Sequence, residues 1–122
     1  MEKIPVLVLD DDEDVTLLAR SVLTMHGYEV TESNNPVEAL EIVKTRPFHL
    51  ILADIMMPDM DGVEFIRQAK ETDQNAGAKY AILTAKRLND EDRRRIFDLG
   101  AEVMTKPFVP LNLAEKVAEL LR

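Results

Sequence analysis

The stretch PVLVLDDDEDV, residues 5–15, joins a continuously apolar run to five consecutive acids, Asp10, Asp11, Asp12, Glu13 and Asp14. A strand that is apolar at every position, instead of at alternate ones, is covered on both faces. That is the condition of a parallel sheet packed between helices. The acids stand where this strand should end and the first helix begin. Fold class and chemistry are therefore read from the same segment.

Outward from this stretch, short β-rich runs alternate with longer amphipathic segments, the pattern of a sheet wrapped by helices. From about Asp14 to His26 the residues Val15, Leu18, Val22 and Met25 recur at helical spacing, with Gly27 as the stop. Tyr28 to Thr31 reads as a short second strand. Asn35 and Pro36 then open a helix that turns Leu40 and Val43 inward and ends before Pro47. HLILA, residues 49–53, is a third strand running straight into Asp54. The loop DIMMPDMDG, residues 54–62, carries Pro58 and Gly62 ahead of a helix from about Val63 to Glu71.

Residues 72–78, TDQNAGA, read as loop, and Tyr80 to Leu83 as a fourth strand ending at Thr84. A fourth helix spans roughly Asn89 to Leu99 and stops at Gly100. Val103 to Thr105 is a fifth strand, followed by Lys106 and Pro107. The last helix, about Pro110 to Leu121, places Leu113, Ala114, Val117, Ala118 and Leu121 on one stripe. The expectation is an α/β fold, a doubly wound (βα)5 sandwich of five parallel strands, forming one domain over residues 1–122.

With 46% hydrophobic and 31% charged residues the 122-residue chain can bury a single core. Its net charge, 15 − 23 = −8, argues against a broad grip on nucleic acid or an anionic membrane. Arg93, Arg94 and Arg95 form the one basic run, which reads first as a solvated helix face. The absence of cysteine excludes disulfides, thiolate metal sites and cysteine nucleophiles. No secretory signal or membrane-spanning length appears, so a cytoplasmic protein is expected.

In open parallel sheets the binding crevice lies beyond the carboxyl ends of the strands. Just past them stand Asp10 and Asp11, then Asp54, Thr84 and Lys106. Neighbouring carboxylates at ~4 Å repel by several kcal/mol in an effective dielectric of about 20. Either one is protonated or a cation sits among them. Oxygen donors alone favour a hard cation, Mg²⁺ with Mn²⁺ as a substitute, and Mg²⁺ commonly shares its shell with phosphate. Phosphoryl chemistry follows, with an aspartate as nucleophile and Lys106 and Thr84 facing the transferred oxygens. Each residue alone has a plain structural explanation as a cap or a solvated charge. Their concentration at the same ends of four core strands does not.

Two other patterns overlap this one. Asp10, Asp12 and Asp14 imitate an EF-hand opening, but Val15 replaces the turn glycine and Ser21 the bidentate glutamate. Asp12, Asp14 and Thr16 spell DxDxT, which resembles the nucleophile motif of haloacid dehalogenase phosphatases. A small Mg²⁺-dependent phosphatase using Asp12 or Asp10 is thus the alternative, and a purely structural role for the acids in a degenerate adaptor a third.

Taken together, VLVLDDDEDV, HLILADIMMPDMDG, AILTA and MTKPF resemble the four signatures of the response-regulator receiver domain, over residues 4–121. The resemblance implies a flavodoxin-like sheet of order 2-1-3-4-5 and a phosphoryl group received from a sensor histidine kinase or phosphotransfer protein. It implies Asp54 as the phosphoacceptor, and Asp10, Asp11, Asp54 and the Met56 carbonyl around Mg²⁺. Asp11 is then the direct ligand of the acidic pair. Lys106 would meet a phosphoryl oxygen, and its peptide bond to Pro107 is expected to be cis. Thr84 and the Ala85 N–H would complete the contacts. A helix 4, strand 5 and helix 5 face would dock an unidentified downstream protein, with Arg93 to Arg95 and the last helix as the first choice of surface.

Three departures from the family pattern carry expectations of their own. Val103 stands where an aromatic switch residue is usual, and its stiff side chain cannot make the same swing. The segment from Thr84 to Gly100 is longer by one residue, so helix four is expected to be extended or shifted. Met56 and Lys86, two residues past Asp54 and Thr84, offer poor placement for an attacking water, so slow loss of the phosphoryl group is expected. No effector segment follows Arg122, which fits either a single-domain regulator or a receiver cut from a longer chain.

Overall fold

The computed structural model describes residues 3–85, 87–106 and 108–122. Five strands and five helices alternate: β1 (Ile4–Leu9), α1 (Glu13–Met25), β2 (Tyr28–Ser33), α2 (Pro36–Thr45), β3 (Leu50–Asp54), α3 (Gly62–Lys70), β4 (Lys79–Thr84), α4 (Asp90–Asp98), β5 (Glu102–Thr105) and α5 (Pro110–Leu120). The strands form one parallel sheet in the order β2-β1-β3-β4-β5, as expected from the sequence. The order reverses between β1 and β3, which puts their carboxyl ends at the switch point.

Alternation within each strand explains why the strands look uniformly apolar. Leu7, Leu9, Ile51, Ala53, Tyr80 and Ile82 face one layer, where Leu40, Phe65, Ile66 and Ile96 of α2, α3 and α4 cover them. Val6, Val8, Leu50, Leu52, Ala81, Leu83 and Met104 face the other, under Ala19 and Leu23 of α1 and Leu113 and Val117 of α5. Successive residues point to opposite faces, so a sheet covered twice needs apolar side chains at both parities. Each fully buried leucine or isoleucine contributes about 1.5–3 kcal/mol relative to exposure.

The helix starts follow local capping chemistry. Asp12, Asn35, Asp61 and Asn89 each take an extended backbone and accept from main-chain N–H groups of the turn they open. Asn89 is therefore the cap of α4 and not its first residue. Gly27 and Gly100, expected as stops, have φ of 90° and 71°, the left-handed region where a Cβ is costly.

One expectation changes. The inner face of α1 is Thr16, Ala19, Val22 and Leu23, whereas Leu18 is partly and Met25 86% exposed. Thr16 and Ala19 pack inward beside Val22 and Leu23, while Leu17, Leu18 and Met25 are turned outward. α4 has nine residues, Asp90–Asp98, within the bounds expected from the sequence.

Candidate functional site

Asp10 follows β1 directly and is fully buried. All its polar groups are engaged. Its N–H donates to Ser33 O (3.2 Å) and its carbonyl accepts from Asn34 Nδ2 (2.8 Å). Its Oδ1 accepts from the Asp12 N–H (2.9 Å) and its Oδ2 from Lys106 Nζ (2.7 Å). Asp11, the next residue, is exposed. Asp12 Oδ1 accepts from the Asp14 N–H (2.9 Å), the N-cap bond of α1. The acidic run therefore divides after Asp11. Of the two nucleophiles of the phosphatase alternative, Asp12 is occupied as a helix cap and Asp10 by Lys106 and the Asp12 N–H.

Asp54 closes β3, with its Oδ1 3.5 Å from Lys106 Nζ. Carboxylate oxygens of Asp10, Asp11 and Asp54 all lie within 4.8 Å of one another. The electrostatics record the crowding. Burial, then the charge of Asp10, pushes the Asp54 carboxyl up from 3.8 to about 6; Lys106 pulls it down and a hydrogen bond with Asp11 adds to the rise. Burial works against the Lys106 ammonium, but Asp10 and then Asp54 outweigh it and hold the group above the ordinary lysine range.

Among the described residues, one ammonium stands with three carboxylates, a balance of 3 − 1 = 2 negative charges. The donor set is oxygen only. Both facts fit a hard divalent cation.

The remaining predicted residues gather at the same edge. Thr84 ends β4 and is buried; Ala85 follows it, exposed. The Lys106 N–H donates to Thr84 O (2.9 Å), tying the β4 and β5 ends together. Asp54, Ile55, Met56, Thr84, Ala85 and Lys106 line one open cleft of about 390 Å³. The Met56 side chain is 61% exposed at its rim. Lys86 and Pro107, with the expected cis bond, lie outside the described residues.

Two contributors were not singled out as site residues from the sequence. Gly62, read there as turn punctuation, donates its N–H to Ile55 O (2.9 Å). A Cβ on it would collide with the Asp54 carbonyl oxygen and stand 2.8 Å from the carbonyl carbon. The loop thus folds back against the Asp54 main chain, and only glycine fits. Asn34 supports Asp10 from the loop after β2; its one sequence signal is the pair Asn34 and Asn35 before Pro36.

The basic run does not make one patch. Arg93 and Arg94 are exposed, but Arg95 donates to Asp61 Oδ2 (3.0 Å) and lies 3.7 Å from Asp92. Val103 is 37% exposed and, with Phe108, Val109 and Lys116, lines a groove of about 220 Å³ between β5 and α5.

The family described as "Response regulator receiver domain" matches residues 6–118. The chain is 35% identical over 118 residues to the response regulator receiver protein CpdR of Brucella abortus, covering 95% of each. It is also 35% identical to the alkaline phosphatase synthesis transcriptional regulatory protein PhoP of Bacillus subtilis, where 96% of this chain spans only 48% of the relative. The structure of Vibrio cholerae chemotaxis protein CheY4 superposes with a TM-score of 0.91 at 27% identity, over 98% of this chain and 100% of that one.

Proposed function

The chain belongs to the response-regulator receiver family, and from that premise we propose that it accepts a phosphoryl group on Asp54 from a histidine kinase or phosphotransfer protein. The observation that carries the proposal is the position of Asp54: buried, last in β3, inside the acidic group and 3.5 Å from Lys106.

In the proposed step a carboxylate oxygen of Asp54 attacks the phosphorus of a phosphohistidine. The P–N bond breaks, its electron pair returns to the imidazole nitrogen, and an acyl phosphate forms on Asp54. Lys106, the Thr84 hydroxyl and the Ala85 N–H meet the oxygens of the transferred group. The protein's contribution is position and charge neutralisation. Asp11, Asp54 and the Met56 carbonyl would hold Mg²⁺ directly, or Mn²⁺ in its place. Asp10, whose two carboxylate oxygens are already engaged, would act one shell out. The bound ion supplies positive charge against the phosphoryl oxygens.

The finer reading follows from the same residues. Residues 1–122 act as one receiver unit in the cytoplasm, and among the described residues no helix is long and apolar enough to cross a membrane. Output passes by docking of a downstream protein on the α4, β5 and α5 face, with no direct contact to nucleic acid. The Met56 side chain has no group that orients water, so the acyl phosphate hydrolyses slowly.

Incubation with acetyl phosphate and Mg²⁺ should add one phosphoryl group, seen by intact mass, and Asp54→Asn should add none. Modification that survives this substitution rules the assignment out. Loss of the label within seconds contradicts the slow hydrolysis alone.

A further inference from the structure

We propose that Asn34 is a positioning residue for the acidic pair Asp10 and Asp11, fixing where Asp11 projects by clamping the main chain of Asp10. The proposal rests on the metal reading of the acidic group given above and adds to it a residue from a different loop.

Asn34 sits between β2 and α2 and never approaches Asp54 in sequence. Its side-chain amide donates one N–H to the Asp10 carbonyl (2.8 Å) and the other to Thr16 Oγ1 (3.0 Å). Thr16 is buried, and its own hydroxyl hydrogen goes to Glu13 O (3.2 Å). Both partners thus present acceptors to Asn34, and two divergent N–H donors are what a primary amide offers. An aspartate of the same shape would place charge against two oxygens.

The clamp acts on both sides of Asp10. The preceding residue of the β2 end, Ser33, accepts from the Asp10 N–H (3.2 Å). Ser33 and Asn34 therefore fix the main chain of Asp10 at its N–H and its carbonyl. The Asp10 carbonyl belongs to the peptide unit that carries Asp11, so the same contact sets the direction in which the exposed Asp11 leaves. Thr16 extends the support into the first turn of α1, so the β1–α1 loop is held at both of its ends from one amide.

Asn35 beside it supplies a control. Its Oδ1 accepts from the Val37 and Glu38 N–H groups and caps α2, and its main chain alone meets the Ser33 hydroxyl, contacts that an alanine keeps. One asparagine uses its N–H groups on the site loop; the other uses its oxygen on a helix.

The test is the affinity of the intact chain for Mn²⁺, read from free-ion electron paramagnetic resonance. Asn34→Ala is expected to weaken Mn²⁺ about tenfold, the scale on which partners behind a metal ligand act. Thr16→Val, which removes one of the two acceptors and keeps its shape, weakens it by a smaller factor and serves should Asn34→Ala not fold. Asn35→Ala lowers the unfolding midpoint and leaves Mn²⁺ affinity unchanged. Wild-type affinity in both Asn34→Ala and Thr16→Val, or an equal loss in Asn35→Ala, overturns the proposal. If wild type binds Mn²⁺, and Asp11→Asn abolishes it while Asn34→Ala does not touch it, the metal reading stands and only the positioning role falls. If wild type binds no Mn²⁺, both fall.

Discussion

The two ends of the sheet handle buried polarity in opposite ways. Before β3 and β4, fully buried Asn75 has every side-chain group matched: Oδ1 accepts from the Phe48 N–H (2.8 Å), and Nδ2 donates to Val43 O (2.7 Å) and Arg46 O (2.8 Å). Its own carbonyl accepts from the Tyr80 hydroxyl (2.6 Å). Beyond β1 and β3, buried Asp10 and Asp54 crowd a third acid and share one ammonium. A neutral amide saturates its neighbours and closes the amino-terminal edge. Charge in excess of its described partners leaves the carboxyl-terminal edge at a cost that a proton or a cation offsets. The first arrangement stabilises the fold, and the second keeps a site ready.

Removing the closed network gives the largest expected change. Asn75→Ala strands the buried Phe48 N–H and Val43 carbonyl and removes the partner of the part-buried Arg46 carbonyl; a buried group left unpaired costs about 1–3 kcal/mol, so a loss of about 3–5 kcal/mol is expected. Urea unfolding measures it. That is a large share of a typical domain's stability of about 5–15 kcal/mol. A loss below about 1 kcal/mol would mean that water replaces the amide and the edge is not closed.

At the opposite edge the sign reverses. The folded-state pKa of Asp54, about 6, lies above its ordinary 3.8. Folding thus favours the protonated carboxyl. The stability from this group is full below the unfolded value and lost as pH rises through about 6. A rise of roughly two units corresponds to about 2–3 kcal/mol. In chelator above pH 7, Asp54→Asn should therefore be more stable than wild type by about 2–3 kcal/mol. The gap should close as pH falls toward 4 and shrink when Mg²⁺ is added. A variant less stable than wild type in chelator at neutral pH sinks the claim that this edge is destabilised by its own charge.

What could be read from the sequence follows the same division. The strands were legible because burial on both faces leaves no polar residue in PVLVL or LILA. Asp10, Asp54, Thr84 and Lys106 were legible because each stands at a strand's carboxyl end, and the fold brings those ends together. Asn75 was read as loop because its partners are 27, 29 and 32 residues away, and nothing local marks them. Gly62 was read as a turn residue; what demands it is the Asp54 carbonyl across the loop. The face of α1 was misread because apolar periodicity was satisfied by Leu18 and Met25, while close packing on the sheet selected Thr16 and Ala19.

The smallest expected effect separates the charge of the open edge from its scaffolding. Arg95 of α4 donates to Asp61 Oδ2 (3.0 Å), while Asp61 Oδ1 accepts from the Glu64 N–H (2.8 Å) to cap α3. The two ionic side chains are 39% and 41% exposed, so water already solvates the pair. Exposed pairs contribute roughly 0.2–1 kcal/mol and weaken with salt, so Arg95→Ala should lower stability by about 0.5 kcal/mol, and by less in high salt. Asp61→Ala should cost more, about 1 kcal/mol, because the capping bond goes with it. Urea midpoints of the two variants at low and high salt give the order. If Arg95→Ala costs 2 kcal/mol or more, or is indifferent to salt, attractive charge holds this edge together, and it differs less from the Asn75 edge than the buried acids imply.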